Sequence, residues 1–229
     1  GDWISIRVQA DGAIIGEWAE LGYGGFGFSS DSTVINAASP CSRVNLDNVR
    51  IHHSGHSGIF LGDSCPFALR DSSIEANASF GIYARGAAIV VQEISRNHLT
   101  DNGLNAVEFY GTTPWGVGNH YDIGIIEGNS SNNSGDNIGF FAYGTNHPLP
   151  IYFDASTETV FGGNTNIVYA PRTTLNFDGT WVLKAGAIVK PNWPGLQANR
   201  IEAYGTAEEP VVITSISDNK YDGQPYPDN

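Results

Sequence analysis

Apolar residues recur along this chain at two spacings. Between residues 44 and 110, Ile51, Ile74 and Leu99 are each followed eight positions later by another apolar residue, Ile59, Ile82 and Val107, with Ser, Asn and Gly between. The three segments read IHHSGHSGI, IEANASFGI and LTDNGLNAV. From Ile51 to Ile74 is 23 residues and from Ile74 to Leu99 is 25, a period that marks stacked repeats rather than a globular core. Each period holds about three short β-runs. In the second period these are Phe67–Leu69, Ser73–Glu75 and Gly81–Tyr83.

A coil of three short strands that returns above its own start pairs each strand with its counterpart one coil away, at about 4.8 Å. Inward Ile, Val and Leu then stack in rows. Asn77 and Asn102 each follow an inward apolar residue by three positions, as Ser54 does in the first coil. These three are expected to form a stacking ladder that satisfies backbone groups at the turn. Further strands are predicted at 181–183, 187–190, 200–204 and 211–214, separated by glycine turns, and no stretch keeps a helical period.

These repeats resemble the right-handed parallel β-helix superfamily, in which pectate-lyase-like enzymes, phage tailspikes and bacterial surface proteins share one architecture. The resemblance is carried by residues 44–110 and extends to 1–30 and 175–217. Across 111–170, Trp115, the NSSNNSGDN stretch and the HPLP segment read as longer loops that interrupt the stack. The resemblance implies an all-β fold, a single-stranded right-handed parallel β-helix of about nine coils of roughly 24 residues, or a rod of about 45 Å. Residues 1–229 would form one domain, with 111–170 as its looser insertion region.

The two ends of the chain extend the resemblance. In bacterial surface proteins of this type a "GT-xEEP-VVxTS" strand, an "xDxxYxG" loop and a "GDW-x-x-I" strand tend to follow one another. Here the first two pieces match 205–223 and the third matches Gly1-Asp2-Trp3. The split implies one unit of a longer repeat protein or head-to-tail fibre, with copies of the chain as partners. Trp3, Ile4, Ile6 and Val8 would then meet Val211, Ile213 and Ser215 of a neighbour.

Cys41 and Cys65, 24 residues apart, fall one coil apart in this scheme. Their Cα atoms then lie within the roughly 4.4–6.8 Å that a disulfide allows, and a bonded pair and two stacked thiols both fit.

Composition narrows the class. The chain has 229 residues, 28 of them glycine, only 15% charged and with a net charge of −13. That balance opposes nucleic acid and anionic membranes and leaves room for divalent cations. No apolar run approaches the roughly 20 residues of a membrane span. Methionine is absent even at position 1, so processing or excision from something longer is expected. Low lysine with abundant Asn and Gly points to an extracellular or cell-surface location.

Candidate chemistry is sparse. In His52-His53-Ser54-Gly55-His56 the first two side chains would point to opposite faces of a strand, leaving His52 and His56 to cooperate at most. Surface hydrogen bonding is the better expectation for them. Asp218, Asn219 and Asp222, with Asp228 further on, offer the oxygen ligands that Ca²⁺ prefers, but Lys220 interrupts them and the full calcium-loop pattern is missing. The polygalacturonase-like residues of the superfamily are not matched: there is no Asp-Asp pair and no Arg-x-Lys, and Gly55-His56-Ser57 matches a Gly-His-Gly only in part. The expected function is therefore a non-enzymatic extracellular structural unit. The alternative is a polysaccharide-degrading or carbohydrate-binding module with a groove near 111–170 and Glu93 or Glu108 as its acid.

Overall fold

A computed structural model of the chain describes residues 3–25, 32–38, 41–112, 118–132, 136–142, 149–154, 158–192, 195–218 and 220. Among these are twenty-two strands and no helix. Sheet A has nine strands, running from Ile6–Arg7 through Ile59–Leu61 and Val107–Gly111 to Val212–Ile213. Sheet B runs from Ala13–Glu17 through Phe67–Arg70 and Ala88–Ser95 to Leu175–Lys184, with Leu196–Tyr204 paired beyond it. Sheet C holds Glu20–Gly22, Arg50–His52, Ser73–Glu75 and His98–Thr100, and single bridges carry it on from His98 to Ser130 and Thr165. As far as His98–Thr100 the chain visits the three sheets in turn, beyond it the strands fall in sheets A and B, and every named pair is parallel, an arrangement consistent with a parallel β-solenoid.

The register follows the apolar period. Ile51 pairs Ile74, which pairs Leu99, while Ile59 pairs Ile82, which pairs Val107. All six are fully buried, because alternate residues of each strand face inward and one coil of about 24 residues restores the same phase. The described strands within 111–170 keep this stack. Val107 pairs Ile138, which pairs Tyr169, so the extra length sits between strands and leaves their register intact. In this part the interior changes from aliphatic to aromatic: Phe161 stacks on Tyr169 at 4.3 Å and Phe177 on Trp181 at 4.5 Å.

Two corners are set by single left-handed residues. Between sheets B and C these are Trp18, Asn48, Asp71, Arg96 and Gly128, with φ from 48° to 66°. After sheet C they are Tyr23, His53, Ala76 and Asp101, with φ from 52° to 60°. One such residue turns the chain sharply, and the following polar side chain can then meet the backbone of the adjacent coil.

Each corner carries an amide ladder. Behind the second, Ser54 N–H donates to Asn77 Oδ1 at 3.0 Å, and Asn77 Nδ2 donates to Asn102 Oδ1 at 2.8 Å. Asn102 Nδ2 in turn donates to the Ile74 carbonyl at 3.1 Å. Behind the first corner runs a longer ladder. Ser72 N–H donates to Asn97, Asn97 Nδ2 to Asn129, and Asn129 Nδ2 to Asn164, at 3.0, 3.0 and 3.2 Å.

Cys41 and Cys65 are joined by a disulfide between adjacent coils, with Cα atoms 4.8 Å apart. Closing a loop of this size contributes about 3 kcal/mol, mainly by restricting the unfolded chain. Reduction, or Cys41→Ser with Cys65→Ser, is therefore expected to lower the melting temperature by about 6–12 °C in calorimetry.

Candidate functional site

The ends of sheet A present unfinished rows. Ile6 pairs Ile35 and Ile213 pairs Val189, both partners fully buried, so Ile6 and Ile213 terminate inward rows. They are 38% and 50% exposed. Ile4 beside Ile6 is also exposed, and Ile201 at the outer edge of sheet B is half exposed. Ser215 is exposed, while Val211 is partly buried and packs on the core. Val8 is buried within the chain's own core. Trp3 lies against its own fold, its indole N–H donating to the Gly22 carbonyl at 3.3 Å. Of the residues expected at a junction, Ile4, Ile6, Ile213 and Ser215 are thus open to a neighbour, whereas Val8 belongs to the interior.

The backbone at these ends is equally open. Ile6 and Val8 donate to Val34 and Asn36 of the next strand, and Val212 and Thr214 donate to Ala187 and Val189 of the previous one. The intervening residues Arg7 and Ile213 direct their N–H and C=O outward, as alternation in a parallel ladder requires. Unpaired strand edges of this kind are where another strand adds.

His52 and His53 are brought together rather than apart, their Nδ1 atoms 2.8 Å from one another. His53 has φ 54°, so it sits at the corner and not on the strand, and the alternation of faces ends before it. His52 Nε2 lies 2.9 Å from Glu20 Oε1, and Tyr23 stacks on His53 at 5.0 Å. His56 instead meets Ser57 Oγ at 3.2 Å. Gly22 makes room for the His52 ring, which a Cβ would strike.

Asp218 accepts from Thr214 Oγ1 at 2.7 Å and from the Lys220 N–H at 3.0 Å, contacts that hold its carboxyl below the usual range. Asn219, Asp222 and Asp228, the other oxygen donors expected there, lie outside the described residues. Among the described residues no three metal-binding side chains converge.

The acids Glu93 and Glu108 lie on different sheets. Glu93, on sheet B, is held by Arg70 Nε at 2.5 Å and by Ser95. Glu108 occupies the outer face of sheet A, opposite Tyr83 in one neighbour and Gly139 in the other. It is 5% exposed and accepts from Asn105 Nδ2 at 2.5 Å. Beside it runs an aromatic row in which Phe60 and Phe80 both contact Tyr83, at 5.7 and 4.8 Å, and Arg85 lies 5.8 Å over Tyr110.

Burial raises the Glu108 carboxyl above its ordinary range, partly offset by Asn105 and the charge of Arg172. A carboxyl whose folded pKa is raised favours the fold fully below its unfolded pKa and loses that contribution as pH rises through the folded value. Glu108→Gln keeps the acceptor and removes the charge. It should match the parent in acid and exceed it in stability at pH 8, as urea unfolding at the two pH values would show.

A shallow groove of about 500 Å³ follows the corner between sheets B and C, past Trp18, Arg50 and Arg96. Its charges are already paired, Arg50 with Glu20 and Glu75 and Arg96 with Asp71. Among the other large aromatics, Trp181 is core and Trp18 is 81% exposed, while Trp115, Trp193, Tyr221 and Tyr226 lie outside the described residues. Comparison of the chain with protein-family models, with curated proteins and with solved structures finds no match in any of the three.

Proposed function

We propose that this chain is an extracellular structural unit of the right-handed parallel β-helix type, with about nine coils, that stacks end to end with copies of itself. The observation that carries this reading is the pair of unfinished inward rows, exposed Ile6 at one end of sheet A and exposed Ile213 at the other. Right-handedness is the choice that crossovers between parallel strands overwhelmingly make. The disulfide supports an oxidising, extracellular compartment, and the net charge of −13 is ill suited to nucleic acid.

Sedimentation velocity over a wide concentration range, with electron microscopy of the same material, tests this reading. Linear particles that lengthen with concentration are expected. Strictly monomeric particles at high concentration would overturn it.

A second reading, carbohydrate binding, is favoured by one observation: the partly exposed Tyr83 and Tyr110, adjacent on sheet A beside the buried Glu108. Aromatic faces with a nearby polar group suit sugar rings. The separation of Glu93 and Glu108 onto different sheets argues against paired-carboxylate hydrolysis, which needs two acids flanking one bond. Isothermal titration with neutral and acidic oligosaccharides, with Glu108→Gln as the control, separates binding from its absence.

A further inference from the structure

We infer the register and the charge pair of the join between copies: Ile6 of one copy lies opposite Ile213 of the copy before it, which brings Arg7 onto Asp218. The inference rests on the end-to-end reading above and fixes which atoms meet. Two independent features of the edges select it.

The first is the backbone. In a parallel ladder one residue bonds to the two residues flanking its partner. Ile213 is the residue of its strand that faces outward, because Val212 and Thr214 are turned back to Ala187 and Val189. On the other edge Arg7 faces outward, because Ile6 and Val8 are committed to Val34 and Asn36. With Ile6 opposite Ile213, the Ile213 N–H donates to the Ser5 carbonyl and the Arg7 N–H donates to the Ile213 carbonyl. A shift of one residue would set committed groups against free ones.

The second feature is the side chains. The same register continues the inward row from Val189 through Ile213 to Ile6 and Ile35, covering two isoleucines that are now 50% and 38% exposed. It also sets Ile4 opposite Val211. On the outer face Arg7 falls opposite Thr214, whose hydroxyl is bonded to the Asp218 carboxylate. Arg7 is exposed and pairs with no carboxylate among the described residues. The occupant of each edge is therefore a second copy of this chain, joined through sheet A.

Charge exchange tests the pair. Arg7→Glu and Asp218→Arg should each weaken association by roughly five- to tenfold in sedimentation at low salt, as an exposed pair becomes a like-charge contact. The double variant should recover most of the loss, and added salt should shrink all three differences. Thermal unfolding of each variant at a concentration where it is monomeric checks that the fold is kept. If the parent protein associates but the double variant is no better than the singles, this register is overturned while end-to-end stacking stands. If the parent protein does not associate at any concentration, both fall.

Discussion

Replacing Asn129 by alanine is expected to lower stability by about 3–5 kcal/mol, because several buried polar groups lose partners at once and each costs about 1–3 kcal/mol. Asn129 is fully buried. Its Oδ1 accepts from both the N–H and the Nδ2 of Asn97, at 3.2 and 3.0 Å. Its Nδ2 donates to the Ile94 carbonyl at 3.0 Å and to Asn164. Alanine leaves the buried Asn97 N–H unmet and Asn97 Nδ2 with the Leu69 carbonyl alone, and the ladder is cut between two coils. The melting temperature should fall by about 6–20 °C, at the usual 2–4 °C per kcal/mol for a chain of this length. Asn164→Ala, at the partly exposed end of the ladder, should cost less than half as much. A loss below about 1 kcal/mol for Asn129 would mean that the ladder contributes little beyond its hydrogen-bond count.

The second large effect is expected in the aromatic part of the interior. Trp181 is fully buried, stacked on Phe177 at 4.5 Å and set edge-on to Phe161 at 5.8 Å. Trp181→Ala should cost about 3–5 kcal/mol through lost burial and the cavity left behind. Trp181→Phe is a sharper comparison. The indole Nε1 is buried without a hydrogen-bond partner, so removing that N–H relieves an unmet donor while most of the stacking is kept. Urea unfolding should place the phenylalanine variant within about 1.5 kcal/mol of the parent, as near-conservative swaps usually fall, and well above the alanine variant.

The fold was legible in the sequence where the coil length is nearly constant. Ile51, Ile74 and Leu99, and eight residues later Ile59, Ile82 and Val107, keep their phase because the coils between them differ by only two residues. Beyond Gly111 the spacing between inward residues rises to 31, as from Val107 to Ile138 and on to Tyr169. A fixed-period reading loses the rows there, although the strands stay in register. The longer Asn ladder was hidden for the same reason, its steps being 25, 32 and 35 residues. Its signal was local: Arg96-Asn97 and Gly128-Asn129 each set an Asn directly after a corner residue.

The candidate site was less legible because it depends on neighbours distant in sequence. The burial of Glu108 depends on Gly139, one strand away, where a Cβ would collide with the carboxylate. The contact between His52 and His53 depends on one left-handed residue that strand alternation does not foresee. At the ends, Trp3, Ile4, Ile6 and Val8 read as one strand in the sequence, with Ser5 and Arg7 between them. Ile6 and Val8 turn their backbone groups the same way, to Val34 and Asn36, and only the packing around each side chain separates Val8, which is buried, from Ile6, which ends an open row.

The proposed end-to-end join is tested most directly by cross-linking two single-cysteine additions, Ile6→Cys in one preparation and Ile213→Cys in another, mixed under mild oxidation. Opposed residues in adjacent parallel strands lie about 4.8 Å apart, within disulfide reach, as Cys41 and Cys65 do between coils of one chain. The two positions lie at opposite edges of sheet A, so the bond can form only between copies. The mixture should give a covalent dimer rapidly, with peptide mapping showing the two introduced cysteines bonded to one another, while each preparation alone gives little. Failure of the mixture to cross-link faster than either preparation alone would contradict the join.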